Sequence, residues 1–288
     1  MTCPLCGHLN QRSSWLGQTT YRGQYYSYAQ CLQCHSLYCD PMPTAETLVR
    51  MYGPDYAHFL SAEENLGGGD GVKRVINRLK RTRRGTFIDY GCGAGHLLRD
   101  AARLGWHAIG VEFDQGVVAK LANRSDARIV TDPAELADNT PADVLHLGDV
   151  IEHLTEVELQ IPQILGLIKP GGLLLAQGPL EANANLFTLM LRWSKTLRPK
   201  RQLEMPPYHV ILATSKGQRR FFQRFGLKEL EFLLSEVAWP AFNTLSLRDL
   251  RHPREVGLFC LRRVSQAVSA LRPGCWGNRY FYAGRWNG

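Results

Sequence analysis

Hydrophobic and polar positions follow two alternating periods along the chain after residue 72. Apolar residues at positions 72, 75, 76 and 79 recur on one helical face, so residues 72–84 are predicted to form an amphipathic helix. Short apolar runs are typical of buried strands and alternate with further predicted helices. These runs cover residues 86–90, 107–112, 128–131, 142–147 and 173–177. The alternation predicts parallel strands with helices on both faces of one sheet.

The part of the chain after residue 180 is less regular. Its predicted elements are helices at 183–197, 216–225 and 255–271 and strands at 227–234 and 279–286. An insertion of about residues 236–276 separates the two strands. We expect the last strand to pair antiparallel with the strand before the insertion. The predicted fold class is therefore α/β, a doubly wound seven-stranded sheet with an antiparallel last strand.

The N-terminal part of the chain has a different character. Residues 1–42 show little helical periodicity, and a hairpin is predicted at 21–28 around Gly23. Thr44 is placed to cap a short helix up to residue 52. The glycine-rich stretch 67–71 predicts a flexible linker. The predicted domains are thus a small module at 1–42, a helical segment and linker at 43–71, and a main domain at 72–288.

Charge adds a clue about partners. The formal net charge is +8, and basic residues cluster at 73–84, 192–201 and 216–224. Such clusters favour anionic partners such as phosphorylated molecules, nucleic acid or lipid surfaces, although solvated helix faces would look the same. Because no apolar stretch approaches 18 residues and the first residues do not resemble a signal peptide, we expect no transmembrane segment and a cytoplasmic setting.

Two Cys-x-x-Cys pairs predict a metal site in the N-terminal module. Without a secretion signal, metal binding is a better explanation of the pairs than disulfides. Four thiolates suit a structural Zn²⁺ ion, which would stabilise a segment too small to bury a core of its own. His35 and Cys39 are possible substitutes in the ligand set, whose predicted members are Cys3, Cys6, Cys31 and Cys34.

A glycine-rich turn follows the first strand of the main domain. Gly91, Gly93 and Gly95 alternate between this strand and a helix, where they permit a tight turn and close approach of a ligand. Dinucleotide-binding folds share such turns. Here, however, Asp89 precedes the first glycine, and a carboxylate suits a hydrogen-bond donor or cation better than a pyrophosphate. The third glycine also comes one residue early for the dinucleotide pattern. A second acid, Glu112, ends the next strand.

These segments resemble the class I S-adenosylmethionine (SAM)-dependent methyltransferases, in particular their ubiquinone-biosynthesis-like, small-molecule branch. The resemblance rests on Asp-Tyr-Gly-Cys-Gly-Ala-Gly from residue 89, Val-Glu-Phe-Asp from 111 and Asp-Val-Ile-Glu-His-Leu from 149. It continues with Leu-Ile-Lys-Pro-Gly-Gly from 167 and Pro-Tyr-His-Val from 207. It covers about residues 72–235 in consistent order and implies a Rossmann-like sheet that binds SAM.

The resemblance also implies roles for individual residues. The glycine turn and Asp89 would hold the methionine part of SAM, and Glu112 would bind its ribose. Phe113 would pack against the adenine, and Asp132 would lie near the adenine amino group unless it only caps a helix before Pro133. The backbone near the sulfonium would belong to Leu147 and Gly148.

Two histidines are candidates for a catalytic base. His153 follows the fourth strand, where ligands bind in open α/β sheets, and His209 lies in a proline-rich loop. Either could instead be a structural histidine. His146, in the middle of a strand, is expected to be structural.

Two functions remain open. The first is methylation of a small-molecule or sugar acceptor at oxygen, with a phosphorylated or nucleotide-linked acceptor matching the basic clusters. The second is an RNA methyltransferase that uses the zinc module and the basic clusters to bind phosphates. The residues after Cys34 resemble the small-molecule branch of zinc-containing methyltransferases. A binding protein without activity is disfavoured because Asp89, Glu112 and the glycines are all present.

Overall fold

A computed structural model describes residues 2–51, 68–122, 127–136, 141–197, 203–204, 207–237, 245, 251–272 and 274–288. The chain divides into two compact units. The first comprises residues 1–67, 179–221 and 233–280, and the second comprises residues 68–178, 222–232 and 281–288. This division differs from the predicted boundaries, because segments that follow the central strands join the N-terminal residues in one unit.

The described elements include twelve strands and eight helices. The strands are β1 (Gln11–Tyr21), β2 (Gln24–Cys31), β3 (Leu37–Cys39), β4 (Thr86–Tyr90), β5 (His107–Val111), β6 (Arg128–Val130), β7 (Ala142–Gly148), β8 (Ile168–Pro179), β9 (Leu203–Glu204), β10 (Ile211–Leu212), β11 (Leu227–Ser235) and β12 (Arg279–Trp286). The helices are α1 (Ala45–Met51), α2 (Gly68–Arg81), α3 (His96–Arg103), α4 (Gln115–Ala122), α5 (Val157–Leu165), α6 (Leu186–Leu197), α7 (Ser215–Arg224) and α8 (Pro253–Leu271).

The second unit is built on a seven-stranded sheet with the order β11-β12-β8-β7-β4-β5-β6. The strands β4 to β8 are parallel, and the final strand is antiparallel, as predicted. Their apolar runs are buried because helices cover the sheet, and side chains such as Ile88, Ile109 and Leu175 are fully inaccessible. The predicted α/β fold class is confirmed.

Two local predictions in the second unit were wrong. The stretch expected to be a flexible linker is helical from Gly68. At Gly71 any β-carbon would overlap the side chain of Gln177, so this glycine allows α2 to lie close to β8. The strand predicted at 173–177 begins earlier, at Ile168, so that Lys-Pro-Gly-Gly from 169 lies inside β8. There it forms an irregularity between the pairs Ala142–Ile168 and Val144–Leu173.

The first unit contains a five-stranded sheet with the order β10-β3-β2-β1-β9. The predicted hairpin is present, and both residues of its turn have positive φ angles, 50° at Arg22 and 78° at Gly23. Its N-terminal strands pair with strands from residues 203–212, so the first 42 residues share a sheet with later segments. The small module is therefore part of a larger β structure.

The short helix α1 begins as predicted. The Thr47 N–H donates to the hydroxyl oxygen of Thr44 at 3.2 Å, which satisfies one of the unpaired groups of the first turn. Residues 52–67, more than half of the segment predicted at 43–71, lie outside the described residues.

The helix α8, in the first unit, carries polar side chains at buried positions. Arg262 pairs with Glu236 at 2.8 Å, and the Ser265 hydroxyl donates to the same carboxylate oxygen. The guanidinium also lies 4.1 Å from the ring centre of Phe187. Burial raises the pKa of Glu236, an effect that the charge of Arg262 opposes. Because buried positions of this unit carry polar residues, the hydrophobic pattern of the sequence after residue 180 is less regular.

Among the described helices, none combines the length and apolar character that a membrane crossing requires.

Candidate functional site

The turn between β4 and α3 adopts a conformation that glycine favours at three positions. Gly91, Gly93 and Gly95 have φ angles of 76°, 49° and 69°. The Gly91 N–H donates to the carbonyl of Val111 at 2.8 Å, which ties the turn to the end of β5. Nothing lies within 4 Å of the point where a β-carbon of Gly93 would stand. A ligand can therefore approach the backbone closely at this residue.

The carboxylate of Glu112 connects the end of β5 to this turn. One oxygen accepts the Gly93 N–H at 2.8 Å, and the other accepts the N–H groups of Phe113 at 2.8 Å and Asp114 at 3.0 Å. A carboxylate has about four acceptor positions. Three are used here, so Glu112 is held in one orientation and retains capacity for one further strong hydrogen bond.

An exposed aromatic ring follows Glu112. Phe113 is 54% exposed, and its ring meets the ring of Tyr90 edge-on with centroids 5.5 Å apart. This ring can pack against a planar base. The carboxylate of Asp132 accepts the Ala134 N–H at 2.9 Å at the start of a short 3₁₀ helix, Pro133–Leu136. The cap that the sequence left as an alternative is thus present, and contact with adenine stays a prediction.

A buried polar pair lies in the sheet below the turn. Asp89 in β4 and His146 in β7 stand side by side in the strand register, and their Oδ1 and Nδ1 atoms are 2.7 Å apart. Each residue is only 4% exposed. The imidazole also stacks on Phe87, with a centroid distance of 6.5 Å and an interplanar angle of 26°. Sequence analysis placed His146 as structural and missed this pairing, because the two residues are 57 positions apart.

The end of β7 is restricted in shape. Leu147 is buried, and a β-carbon at Gly148 would stand 2.6 Å from Cε1 of His146. Asp149 follows with a φ angle of 54°, and its N–H donates to the Gln177 carbonyl at 3.0 Å. Aspartate is one of the few residues besides glycine that adopt this left-handed conformation with any frequency, so the residue type and the bend at the end of β7 agree. Nothing in the composition of the segment predicts it.

The two candidate bases lie in different units. In the second unit, His153 ends a short 3₁₀ helix, Ile151–His153, and its N–H donates to the Val150 carbonyl at 3.0 Å. In the first unit, Nδ1 of His209 lies 2.8 Å from a carboxylate oxygen of Glu181. The Tyr28 hydroxyl donates to the His209 carbonyl at 2.9 Å. Sequence analysis missed Glu181, whose position just after β8 is the only signal it carries.

The four predicted metal-binding cysteines form one cluster in the first unit. Their Sγ atoms all lie within 4.8 Å of one another. In each Cys-x-x-Cys pair the first cysteine carbonyl accepts an N–H from the residue four positions later, at 2.8 Å for Gly7 and 3.0 Å for His35. Both acceptor turns have a left-handed residue at that position. His35 therefore occupies the turn position equivalent to Gly7, and the cluster contains neither His35 nor Cys39.

The thiols are arranged as a metal site would require. The pairs Cys3–Cys34 and Cys6–Cys31 have Sγ–Sγ distances of 3.6 and 3.5 Å, close to the roughly 3.8 Å edge of a tetrahedron with Zn–S bonds near 2.3 Å. The hydrogen bond from Cys3 lowers the pKa of Cys34 to about 5, whereas burial raises the pKa of Cys6 to about 11. Four thiolates this close together, three of them buried, need a compensating cation, and the donor set fits Zn²⁺.

The cysteine cluster is bonded to the segment that carries His209. The Thr214 hydroxyl donates to the Cys34 carbonyl at 2.6 Å, and the Thr214 N–H donates to the Ser36 hydroxyl at 3.0 Å. At the end of β3, the Cys39 N–H donates to the Val210 carbonyl at 2.9 Å. Hydrogen bonds at Val210 and Thr214 thus join this segment to the cysteine-bearing residues, about 180 positions away in sequence.

Comparison with known protein families and proteins adds an independent observation. The model of a family described as a methyltransferase domain matches residues 58–231. The ubiquinone biosynthesis O-methyltransferase of Agrobacterium fabrum is 29% identical over 164 residues, which cover 50% of this chain and 63% of that protein. The protein of the same name from Bradyrhizobium diazoefficiens is 32% identical over 119 residues, with coverages of 37% and 47%. The chain thus spans less than two thirds of these relatives.

Solved structures resemble the chain at low sequence identity. The plantazolicin methyltransferase BamL has a TM-score of 0.51 at 11% identity, covering 84% of this chain and 95% of that one. The [4+2]-cyclase SpnF has a TM-score of 0.50 at 15% identity, covering 85% and 97%. One of these proteins is a methyltransferase and the other a cyclase, so this likeness shows the fold alone.

Proposed function

Because the chain belongs to the methyltransferase domain family, we propose that it transfers the methyl group of SAM to an oxygen atom of a small-molecule or sugar acceptor. The observation that carries this proposal is the left-handed glycine turn after β4, with Asp89 below it and Glu112 bonded to Gly93. The similarity to ubiquinone biosynthesis O-methyltransferases supports oxygen as the methylated atom. The basic clusters are compatible with a phosphorylated acceptor.

The residues of this site match each part of SAM: the methionine part, the ribose and the adenine. Asp89 offers a buried carboxylate for the amino group of the methionine part. Of the three glycines of the turn, Gly91, Gly93 and Gly95, it is Gly93 that leaves the backbone open to a ligand. Glu112 has capacity for one ribose hydroxyl as it stands, and Phe113 offers an exposed ring for adenine. Gly148 provides a backbone without a side chain near the sulfonium. Leu147 and Asp132 complete the proposed binding residues.

The chemistry of methyl transfer sets what the side chains must do. When bound, SAM supplies an electrophilic methyl group on a positively charged sulfur. The protein has to hold the acceptor oxygen in line with that methyl group, and proximity supplies much of the acceleration. A hydroxyl oxygen must also lose its proton, and a positioned base contributes roughly 10²–10⁴-fold.

We assign the base to a histidine, and the contacts of His209 make it the better supported candidate. Glu181 accepts the proton on Nδ1, so the basic lone pair of a neutral ring resides on Nε2. A carboxylate that orients a histidine also stabilises the imidazolium formed when the proton is accepted. His153 remains the second candidate because it follows β7 in the same unit as the glycine turn.

The cysteine cluster is proposed to hold one structural Zn²⁺. Four thiolates fill a tetrahedral ion, which leaves no open coordination position for catalysis. Its contribution would be to fix the first unit, including residues 209–217. Reduced thiols fit the cytoplasmic setting that the sequence predicts.

The RNA alternative has one structural observation in its favour. The basic residues of α2 and the residues that follow are exposed for the most part, namely Lys73, Arg74, Lys80, Arg81, Arg83 and Arg84. If RNA is the acceptor, methyl incorporation into total RNA will occur and will fall steeply between 50 and 200 mM salt, on the order of 10³-fold in affinity for six phosphate contacts. Incorporation into small hydroxylated acceptors with little salt dependence will exclude this alternative.

Glu112→Ala is expected to weaken SAM binding at least about tenfold, because a ribose hydrogen bond to a charged group contributes roughly 1.5–3 kcal/mol. Isothermal titration calorimetry with SAM measures the change. Glu135→Ala is the matched control, since Glu135 is an exposed glutamate in the same unit. Equal affinity of wild type and Glu112→Ala would remove Glu112 from the ribose site.

Elemental analysis of the purified protein is expected to find about one zinc per chain, as a Cys₄ site binds one ion. Cys31→Ser should abolish the zinc content and lower the melting temperature, whereas Cys260→Ser, at an exposed position of α8, should change neither. A fully folded wild-type protein without zinc would refute the metal site.

His209→Gln is expected to lower kcat by about 10²-fold or more, the range of a positioned base, without changing the affinity for S-adenosylhomocysteine. Glu181→Gln should lower kcat less, because the ring remains. Activity is measured with tritium-labelled SAM and the most reactive acceptor from a panel of phenols and nucleotide sugars. His107→Gln, at an exposed position, is the control. A loss confined to His153→Gln would move the base to that residue, and full activity in both variants would exclude both.

A further inference from the structure

We propose that His146 is a positioning residue for the cofactor: it fixes the Asp89 carboxylate so that this group receives the amino group at the methionine end of SAM. The inference deepens the proposed function and rests on it, because it assumes that SAM binds above Asp89. It assigns a binding role to a residue that the sequence pattern placed in the core.

The geometry of the pair is that of a fixed donor and a fixed acceptor. Asp89 and His146 are directly opposite in the parallel ladder of β4 and β7, with 2.7 Å between Oδ1 and Nδ1. Stacking on Phe87 holds the plane of the imidazole. Both side chains are 5% exposed, so water has little access to compete for the carboxylate. A charge-assisted hydrogen bond in such a place sets the rotamer of Asp89 firmly.

Two polar atoms in or near the pair are buried and make no hydrogen bond to any part of the chain that the structure describes. Within the described residues, Nε2 of His146 and Oε1 of Gln177 are buried and have no hydrogen-bond partner. His146 and Gln177 are only 4% and 7% exposed. Leaving a buried polar atom unpaired is costly, and either a bound water or a ligand would complete these hydrogen bonds.

Gly148 lies beside the pair and leaves no room for a side chain. The point where its β-carbon would stand is 2.6 Å from Cε1 and 3.2 Å from Nε2 of His146. With the proton on Nδ1, the second imidazole nitrogen is an acceptor, as is the Asp89 carboxylate. The amide oxygen of Gln177 is directed at Gly71 and lies apart from them. Two acceptors on one fixed pair suit a cationic donor with several N–H bonds. The ammonium group of the methionine part has this chemistry.

The distinguishing experiment compares two ligands that differ only at this end. S-adenosylhomocysteine carries the amino acid part, and 5′-methylthioadenosine has the same adenosine and thioether sulfur without it. Calorimetric affinities for both ligands are measured on the full chain for wild type, His146→Leu, His146→Asn, Asp89→Asn and the double variant Asp89→Asn/His146→Leu. The Asn at 146 restores an N–H donor, and the double variant leaves no unpaired carboxylate buried.

The expected result is a selective loss. His146→Leu should bind S-adenosylhomocysteine about tenfold or more weakly, in line with a lost hydrogen bond to a charged group, and 5′-methylthioadenosine within about twofold of wild type. His146→Asn should recover most of the affinity. If His146 acts through Asp89, the double variant should lose no more than Asp89→Asn alone, because the two effects are coupled.

Three outcomes would overturn the inference: an equal loss for both ligands in His146→Leu, no loss for either ligand, or losses in the double variant that multiply. An equal loss would mean that His146 only supports the sheet. If His146→Leu does not fold, the comparison of Asp89→Asn with the double variant still decides between coupled and independent effects. A wild-type protein that binds neither ligand would instead overturn the proposed function, which separates the two failures.

Discussion

The parallel register of β4 with its two neighbours is the constraint on which the candidate site depends. Because β4 pairs with β5 on one side and β7 on the other, the ends of three strands meet at one edge of the sheet. The chain can leave β4 at that edge only through a sharp turn, and the left-handed glycines make this turn possible. Because glycine has no side chain, the turn leaves an opening at Gly93 that a ligand can enter.

In the second unit the backbone of the turn and one carboxylate are bonded to each other. Glu112 bonds to the turn with the oxygen atoms that a ribose would also use, so binding and local order share the same carboxylate. In the first unit the candidate residues are held by the cysteine cluster and the hydrogen bonds around it. There the cysteine cluster accompanies buried apolar side chains such as Leu5 and Leu37, and Thr214 links it to the segment that holds His209. Each unit therefore fixes its own candidate residues by strong, directional bonds.

Much of this arrangement can be predicted from the sequence, because burial leaves a trace in the hydrophobic pattern. The central strands are covered on both faces, so their apolar runs are unmistakable, and the glycine turn and the cysteine pairs follow fixed spacings. Contacts between distant positions leave no such trace. The pairs Asp89–His146 and Glu181–His209 form only in the folded chain. The helical start at Gly68 was not predicted because glycine has a low helix propensity and its presence indicated a loop. In the folded chain Gly71 packs closely against Gln177, and this contact cannot be read from the sequence.

Asp149 governs how the chain leaves β7. A left-handed conformation costs most residues other than glycine roughly 1–2 kcal/mol, but aspartate adopts it more readily because its short side chain can hydrogen-bond locally. A glycine here would reach the φ of 54° as easily and would also have many other conformations available. An aspartate therefore restricts the backbone at the exit of the strand more than a glycine would.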